Sequence, residues 1–425
     1  MTESLYPFPT LKIRMILRAV IPAILAISWL ILLTPLMITD VWDESNFLIY
    51  FYSQPYSLWE KLLFTWMQPL GNLYRPIPVS IASIILDQTT FSPFAWQLLR
   101  AVNIGLLLSS LALILHLFQR WQVKAYLFPI FTTLFLFSSS GIITATWYAN
   151  IFDASSLFLL TLALWLISYQ AFFLAGIAVG LSFFCKEINL IFLPFLFILF
   201  FNQKIDFKSL VKVFSTIIVV GGIYWILRFN MIDLGSDGDI HDFALSKFWP
   251  SLVGFMDSFW WQNMHREQAG WLGITCFTIS LLAFRHYINV LLFAGLLFLA
   301  MLLYWGMFAY YQTDVINHLN FIGRLYLIPA TLMLIALSLW ARPFIFALIA
   351  APVLFGGWQT YQAHQQFQTT FLNIEQLAAK QEQTLIIDFK HNPLQHDVFR
   401  NIQFGEHPQA KYAIDIKTGE IIVRD

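Results

Sequence analysis

The chain has 425 residues, 59% hydrophobic and 11% charged, with a formal net charge of zero. A soluble domain carries about 25% charged residues, so this composition excludes an ordinary water-soluble protein and predicts a polytopic membrane protein. The balanced charge gives no basic footprint for nucleic acid. Cys185 and Cys276, the only cysteines, both lie in apolar segments and read as buried small side chains rather than a disulfide.

The first apolar stretch, 15–37, follows Lys12 and Arg14 and contains Arg18. It is too long for a signal-peptide core and lacks a small-residue cleavage site before Asp40, so a retained helix is expected. A bilayer core of about 30 Å takes about 20 helical residues, and on that basis about eleven spans are predicted. They are 15–37, 95–118, 124–141, 152–169, 171–185, 188–201, 209–228, 271–284, 288–310, 325–341 and 343–358. The apolar stretch 77–86 is too short to cross and reads as a re-entrant or interfacial helix. The short connections that carry Lys12, Arg14, Arg18, Arg120, Lys124, Lys204, Lys208, Lys212, Arg285 and Arg342 then fall on one side, which the positive-inside rule makes the cytoplasm.

That parity sends a first outer loop (38–94), a long loop (229–270), the 311–324 loop and the C-terminus to the outer face. The pattern changes near Trp358. Phe367, Phe371, Ile374 and Leu377 recur at helical spacing, then TLIIDF and AIDIKTGEIIV alternate as strands, the latter as a hairpin turning at Thr418-Gly419. The expected fold is an all-α transmembrane unit (1–358), with interfacial helices in its first outer loop, followed by a small α/β outer-face unit (359–425).

Four polar features gather on the expected outer face. VWDESNFLIYF places Asp43 and Glu44 just after the first span, and the aromatic stretch that follows fits interfacial helices. In NLYRPIPVS, Tyr74 and Arg75 precede Pro76, which biases Arg75 towards an extended conformation. WYANIFDAS puts Asp153 at the mouth of a span. In LSFFCKEINLIFLPF, Lys186 and Glu187 interrupt a run of about thirty apolar residues, roughly 46 Å as one helix, so the run should break at the charges.

Each feature has an ordinary reading as well. Lys186-Glu187 could be a hydrophilic turn, Arg75 a snorkelling headgroup contact, Asp43-Glu44 a solvated loop and Asp153 a helix cap. Their convergence on one face is what favours a functional reading. In the long loop, DLGSDGDIHD lacks the closing Glu of a calcium loop. His241, His265 and His318 are too scattered to predict a metal site.

An Asp-Glu pair after the first span, then YRP before a short apolar helix, an Asp after an aromatic turn, and KE in a helix break followed by a Pro (KEINLIFLP) together resemble the integral-membrane glycosyltransferases of the C superfamily. Within it the pattern looks like the branch of protein O-mannosyltransferases and lipid A aminoarabinose transferases. Motifs carry the resemblance over about residues 10–230 and topology alone carries it beyond.

The resemblance implies an inverting glycosyltransferase that moves a sugar from a polyprenyl-phosphate-linked donor to a lipid, glycan or protein acceptor, without a metal or other cofactor. It implies a bacterial inner membrane, with the N-terminus cytoplasmic and the C-terminus periplasmic. Asp43 matches the first-loop catalytic Asp, with Glu44 its companion. Arg75, Lys186 and Arg324 would hold the donor phosphate; Asp153, Glu187 and Tyr74 would line the acceptor side or support the others. Arg100 reads as a further phosphate contact or a helix-end anchor. Two other classes compete: a polysaccharide polymerase or ligase, which the His241, His265 and Arg266 of the long loop would suit, and a lipid or sugar transporter. Transporters carry ionisable groups near the bilayer midplane and often show inverted repeats, features not seen in this pattern.

Overall fold

The computed structural model describes residues 8–36, 57–67, 74–88, 93–147, 150–186, 189, 206–231, 327–340, 344–380, 385–388, 402–405, 409–414 and 421–424. Helix α1 (Phe8–Met15) runs through a wide turn, Ile16–Val20, into α2 (Ile21–Leu33). Pro22 has no N–H to give the carbonyl one turn back, and just before it the Ile21 N–H reaches the Ile16 carbonyl, the spacing of a π turn. Ile24, Ile27 and Ile31 project outward from α2, a stripe that water would penalise and lipid would not.

Helix α3 (Leu58–Met67) opens on a capping box. The Ser57 N–H and hydroxyl both donate to Glu60, and these bonds hold the Glu60 carboxyl below its usual pKa. Its polarity is the reverse of a water-facing helix: Lys61 and Thr65 are buried, whereas Trp59, Leu63 and Met67 are exposed. Helix α4 (Pro76–Gln88) packs against it through the Lys61–Asp87 ion pair at 3.0 Å and the Trp66 indole N–H on the Ser80 hydroxyl at 3.1 Å. At 13 residues, or about 20 Å, α4 is too short to cross a bilayer, as its sequence predicts.

The bundle continues with α5 (Pro93–Arg120), α6 (Leu127–Leu136), α7 (Ser139–Thr146), α8 (Ile151–Ser168), α9 (Phe172–Phe183), α10 (Phe207–Met231), α11 (Leu327–Trp340) and α12 (Phe344–Ala378). Helices α6 and α7 meet at a 54° bend. There Ser138 caps α7, its hydroxyl accepting from the Gly141 N–H at 3.1 Å. Aromatic side chains fill the interior, with Phe118 edge-on to Phe128 and Phe131, and Trp29, Phe183 and Tyr224 wholly or almost wholly buried.

Helices α9 and α10 lie unusually close. A Cβ on Gly176 would come within 2.6 Å of the Thr216 Cβ, and one on Gly180 within 2.5 Å of the Val220 Cβ. This is the small-xxx-small contact by which membrane helices gain dispersion energy when lipid offers no hydrophobic drive.

Among the described residues five helical stretches are long and apolar enough to cross a membrane: Lys12–Leu33, Gln97–Arg120, Ile151–Ser168, Phe207–Met231 and Phe344–Gln366. The bent α6–α7 pair would make a sixth. The predicted segment 171–185 forms the 12-residue α9, and the described part of 325–341 is the 14-residue α11. The predicted spans 188–201, 271–284 and 288–310, like the long loop and its histidines, lie outside the described residues. Where a span was expected to end near 358, α12 instead continues unbroken to Ala378 for 35 residues, because the apolar spacing at Phe371 and Ile374 stays in phase with the segment before it.

Beyond α12 the strands β1 (Leu385–Asp388), β2 (Ile402–Gly405), β3 (Tyr412–Ile414) and β4 (Ile421–Val423) form one sheet in the order β2-β1-β3-β4. Strand β1 is parallel to β2 and β3, and β3 pairs antiparallel with β4 in register Ala413↔Ile422. β2 was not predicted; its four residues, IQFG, are too short and mixed to read as a strand alone.

Substituting Gly180 by Leu should overpack the α9–α10 contact and cost about 1–3 kcal/mol. The check is the unfolding midpoint in detergent, with Gly105→Leu, at a glycine with open space around it, as the control that changes little.

Candidate functional site

Three chain segments meet at one end of the bundle: the entry to α4, the first turn of α8 and the broken end of α9. The break has a local cause. After Phe183 the N–H groups of Cys185 and Lys186 both turn back onto the Ser182 carbonyl, and the Asn189 side-chain amide donates to the same oxygen at 2.7 Å. The Ser182 carbonyl thus accepts from three donors, which ties Asn189 to the end of α9 and leaves Lys186 at the turn.

The Lys186 ammonium donates to the Asp153 carboxylate at 2.5 Å, with side-chain exposures of 4% and 6%. Asp153 lies in the first turn of α8, where the positive end of the helix dipole favours a carboxylate. It is not the cap: Asn150 holds that position. The cap and turn readings of Asp153 and Lys186 therefore give way to an ion pair between segments 33 residues apart. Lys186 reaches across to α8.

Arg75 belongs to the same group. It is only 9% exposed, so it does not snorkel, and its guanidinium lies 5.2 Å from the centre of the Phe152 ring. Cys185, the chain neighbour of Lys186, is fully buried at the same break. Arg75 thus faces the chain neighbour of Asp153. The Ile77 N–H donates to the Phe184 carbonyl at 3.4 Å, tying α4 to the α9 break.

Tyr74 supports this arrangement from behind. Its hydroxyl donates to the Trp66 carbonyl at 3.1 Å, and its own carbonyl accepts from the Tyr224 hydroxyl at 3.3 Å. The Tyr74 and Tyr224 rings stack at 5.9 Å, and burial pushes the Tyr74 pKa up. Arg100 is buried too, at 8% exposure.

Of the expected site residues, the structure brings together Arg75, Asp153 and Lys186, with Tyr74 alongside. Asp43, Glu44, Glu187 and Arg324 lie outside the described residues. Sequence reasoning missed Phe152, Ser155, Cys185, Asn189 and Tyr224. Phe152 and Ser155 sit in the same aromatic turn as Asp153, and Asn189 lies three residues after Lys186, the spacing of a side chain that returns to a broken helix. Tyr224, in the middle of an apolar span, gives no such signal.

Chemically, an arginine, a lysine and one carboxylate in a largely water-free setting favour an anionic ligand, because charge interactions strengthen as the local dielectric falls. Arginine binds phosphate through two parallel N–H donors and lysine as a point charge. Among the described residues no group of three or more His, Cys, Asp or Glu side chains is placed to hold a metal. Comparison of the chain with protein-family models, curated proteins and solved structures finds no match.

Removing one member of the buried pair leaves an uncompensated charge. Asp153→Ala should therefore destabilise the protein by about 3–5 kcal/mol, whereas Asp153→Leu combined with Lys186→Met should recover most of that loss. Chemical denaturation of the single and double variants measures the difference.

Proposed function

We propose that this protein is an inverting glycosyltransferase that moves a sugar from a polyprenyl-phosphate-linked donor to an acceptor on the outer face of a membrane. The observation that carries the reading is the convergence of Arg75 with the buried Asp153–Lys186 pair at one end of the apolar bundle. A lipid phosphate cannot leave the interface, so the groups that receive it must be fixed there. The order of the Asp-Glu, YRP, Asp and KE motifs along the chain adds support.

In this reading the acceptor hydroxyl oxygen attacks the anomeric carbon from the face opposite the phosphate. The bond from that carbon to the phosphate oxygen breaks, and polyprenyl phosphate leaves with the electron pair. Asp43 takes the acceptor proton, with Glu44 beside it. Arg75 and Lys186 stabilise the charge growing on the leaving phosphate, a contribution that is largest where water is excluded. Arg324 is a third cation for that phosphate. Asp153 holds Lys186 in place, Glu187 supports it, and Tyr74 fixes the backbone from which Arg75 departs. The acceptor is a lipid, glycan or protein, the membrane is a bacterial inner membrane, and the residues around the site face its outer side.

The test uses purified protein in liposomes with a polyprenyl-phosphate-linked sugar, reading release of polyprenyl phosphate. Asp43→Asn should lower turnover by about 10²–10⁴-fold, the usual worth of a general base, with folding intact. Arg75→Ala should weaken use of the lipid-linked donor, read as a higher KM for it. Near-native turnover in Asp43→Asn would remove the assigned base, and absence of release from any such donor would remove the reaction class. A Glu44→Cys probe labelled only from the cytoplasmic side would reverse the proposed topology.

A further inference from the structure

The interface between α7 and α12 carries side-chain hydrogen bonds from one helix to the other. Gly357, Thr360 and His364 lie three and seven residues apart on one stripe of α12, facing a short helix whose every residue is buried. A Cβ at Gly357 would stand 1.8 Å from the Phe137 carbonyl oxygen, so only glycine allows the two backbones to approach this closely. That approach brings two side-chain bonds within reach: Ser139 to Thr360 at 2.6 Å and Thr146 to the His364 Nδ1 at 2.9 Å.

Their directions follow from the neighbours. The Thr360 hydroxyl donates to the Gly356 carbonyl and the Thr146 hydroxyl to the Ile142 carbonyl. With those protons used, Thr360 accepts from Ser139, and Thr146 accepts from an Nδ1–H of His364. Simple packing needs no such directional bonds; they fix the rotation and height of α7 on α12.

From α7 the constraint passes to α8. The Asn150 side-chain amide donates to the Ile143 carbonyl at 2.9 Å, and the Asn103 amide of α5 donates to the Trp147 carbonyl at 2.9 Å. Asn150 is the cap residue of α8, three residues before Asp153. Asp153 itself meets Lys186 across the junction, and Cys185 is the chain neighbour of Lys186.

We propose that Thr360 and His364 are positioning residues for the Asp153–Lys186 pair, acting through α7 to set where the first turn of α8 stands against the α9 break. The functional sense of this rests on the reading of that pair as part of the transfer site. The linkage itself does not require substrate.

Cys185 reports on the linkage directly, because it is fully buried beside Lys186 at the junction. In a Cys276→Ser background it is the sole cysteine, and its modification by N-ethylmaleimide in lipid nanodiscs can be timed by mass spectrometry. His364→Ala and Thr146→Val should each raise the labelling rate about tenfold, the effect of losing one buried hydrogen bond on a local opening. His364→Asn, which keeps a donor near the Nδ1 position, should restore the native rate. Leu354→Ala, on the exposed side of α12, should leave it unchanged.

Native labelling rates in both His364→Ala and Thr146→Val would overturn the proposal, as would an equal rise in Leu354→Ala. If His364→Ala does not fold, Thr146→Val decides alone. A wild-type protein without transfer activity would overturn the glycosyltransferase reading, while the labelling rates would still decide the linkage.

Discussion

The placement of the site depends on a carboxylate and an ammonium held out of water. Moving either Asp153 or Lys186 into the bundle alone would cost several kcal/mol, and their mutual contact offsets part of the loss of hydration. Replacement by apolar residues of similar volume can leave such sites as stable or more so, so tight folding does not explain the pair. It does impose a geometric condition: the first turn of α8 and the break in α9 must meet. Much of the surrounding architecture serves that condition, including the Ser182 carbonyl shared by several donors, the Ile77 bond to Phe184 and the Gly-mediated contact of α9 with α10.

Arg75 adds a second cation to the same neighbourhood by a different route. Proline at the start of α4 keeps the preceding residue out of the helix, and the Tyr74–Tyr224 stack fixes the backbone behind it. The guanidinium then lies on the Phe152 ring. Aromatic contact stabilises a cation without neutralising it.

Much of this was legible in the sequence. Apolar length placed α2, α5, α8 and α10 close to their observed bounds, and the shortness of 77–86 correctly kept α4 from being a span. The interruption of an apolar run by Lys186 marked the break. The identity of its partner was not legible, because Lys186 and Asp153 are distant in the chain and each has an adequate local reading, as turn and as cap. Only packing of α8 against α9 brings them together. The bend between α6 and α7 was also missed: hydropathy averages over FSSSG and does not register that Ser138 can cap a new helix. The continuity of α12 was missed for the converse reason, since composition changes near Trp358 while helical spacing does not.

The polar seam between α7 and α12 also orders events in time. Helix α7 is made more than two hundred residues before the stripe that satisfies it. Until Gly357, Thr360 and His364 emerge, Ser139 and Thr146 lack these cross-helix partners, and membrane offers them poor substitutes. The bundle therefore closes only when its last long helix arrives, and a chain halted before residue 357 presents hydroxyls that a complete one conceals. A surveillance system that recognises polar groups in lipid could tell the two apart without reading anything at the site itself.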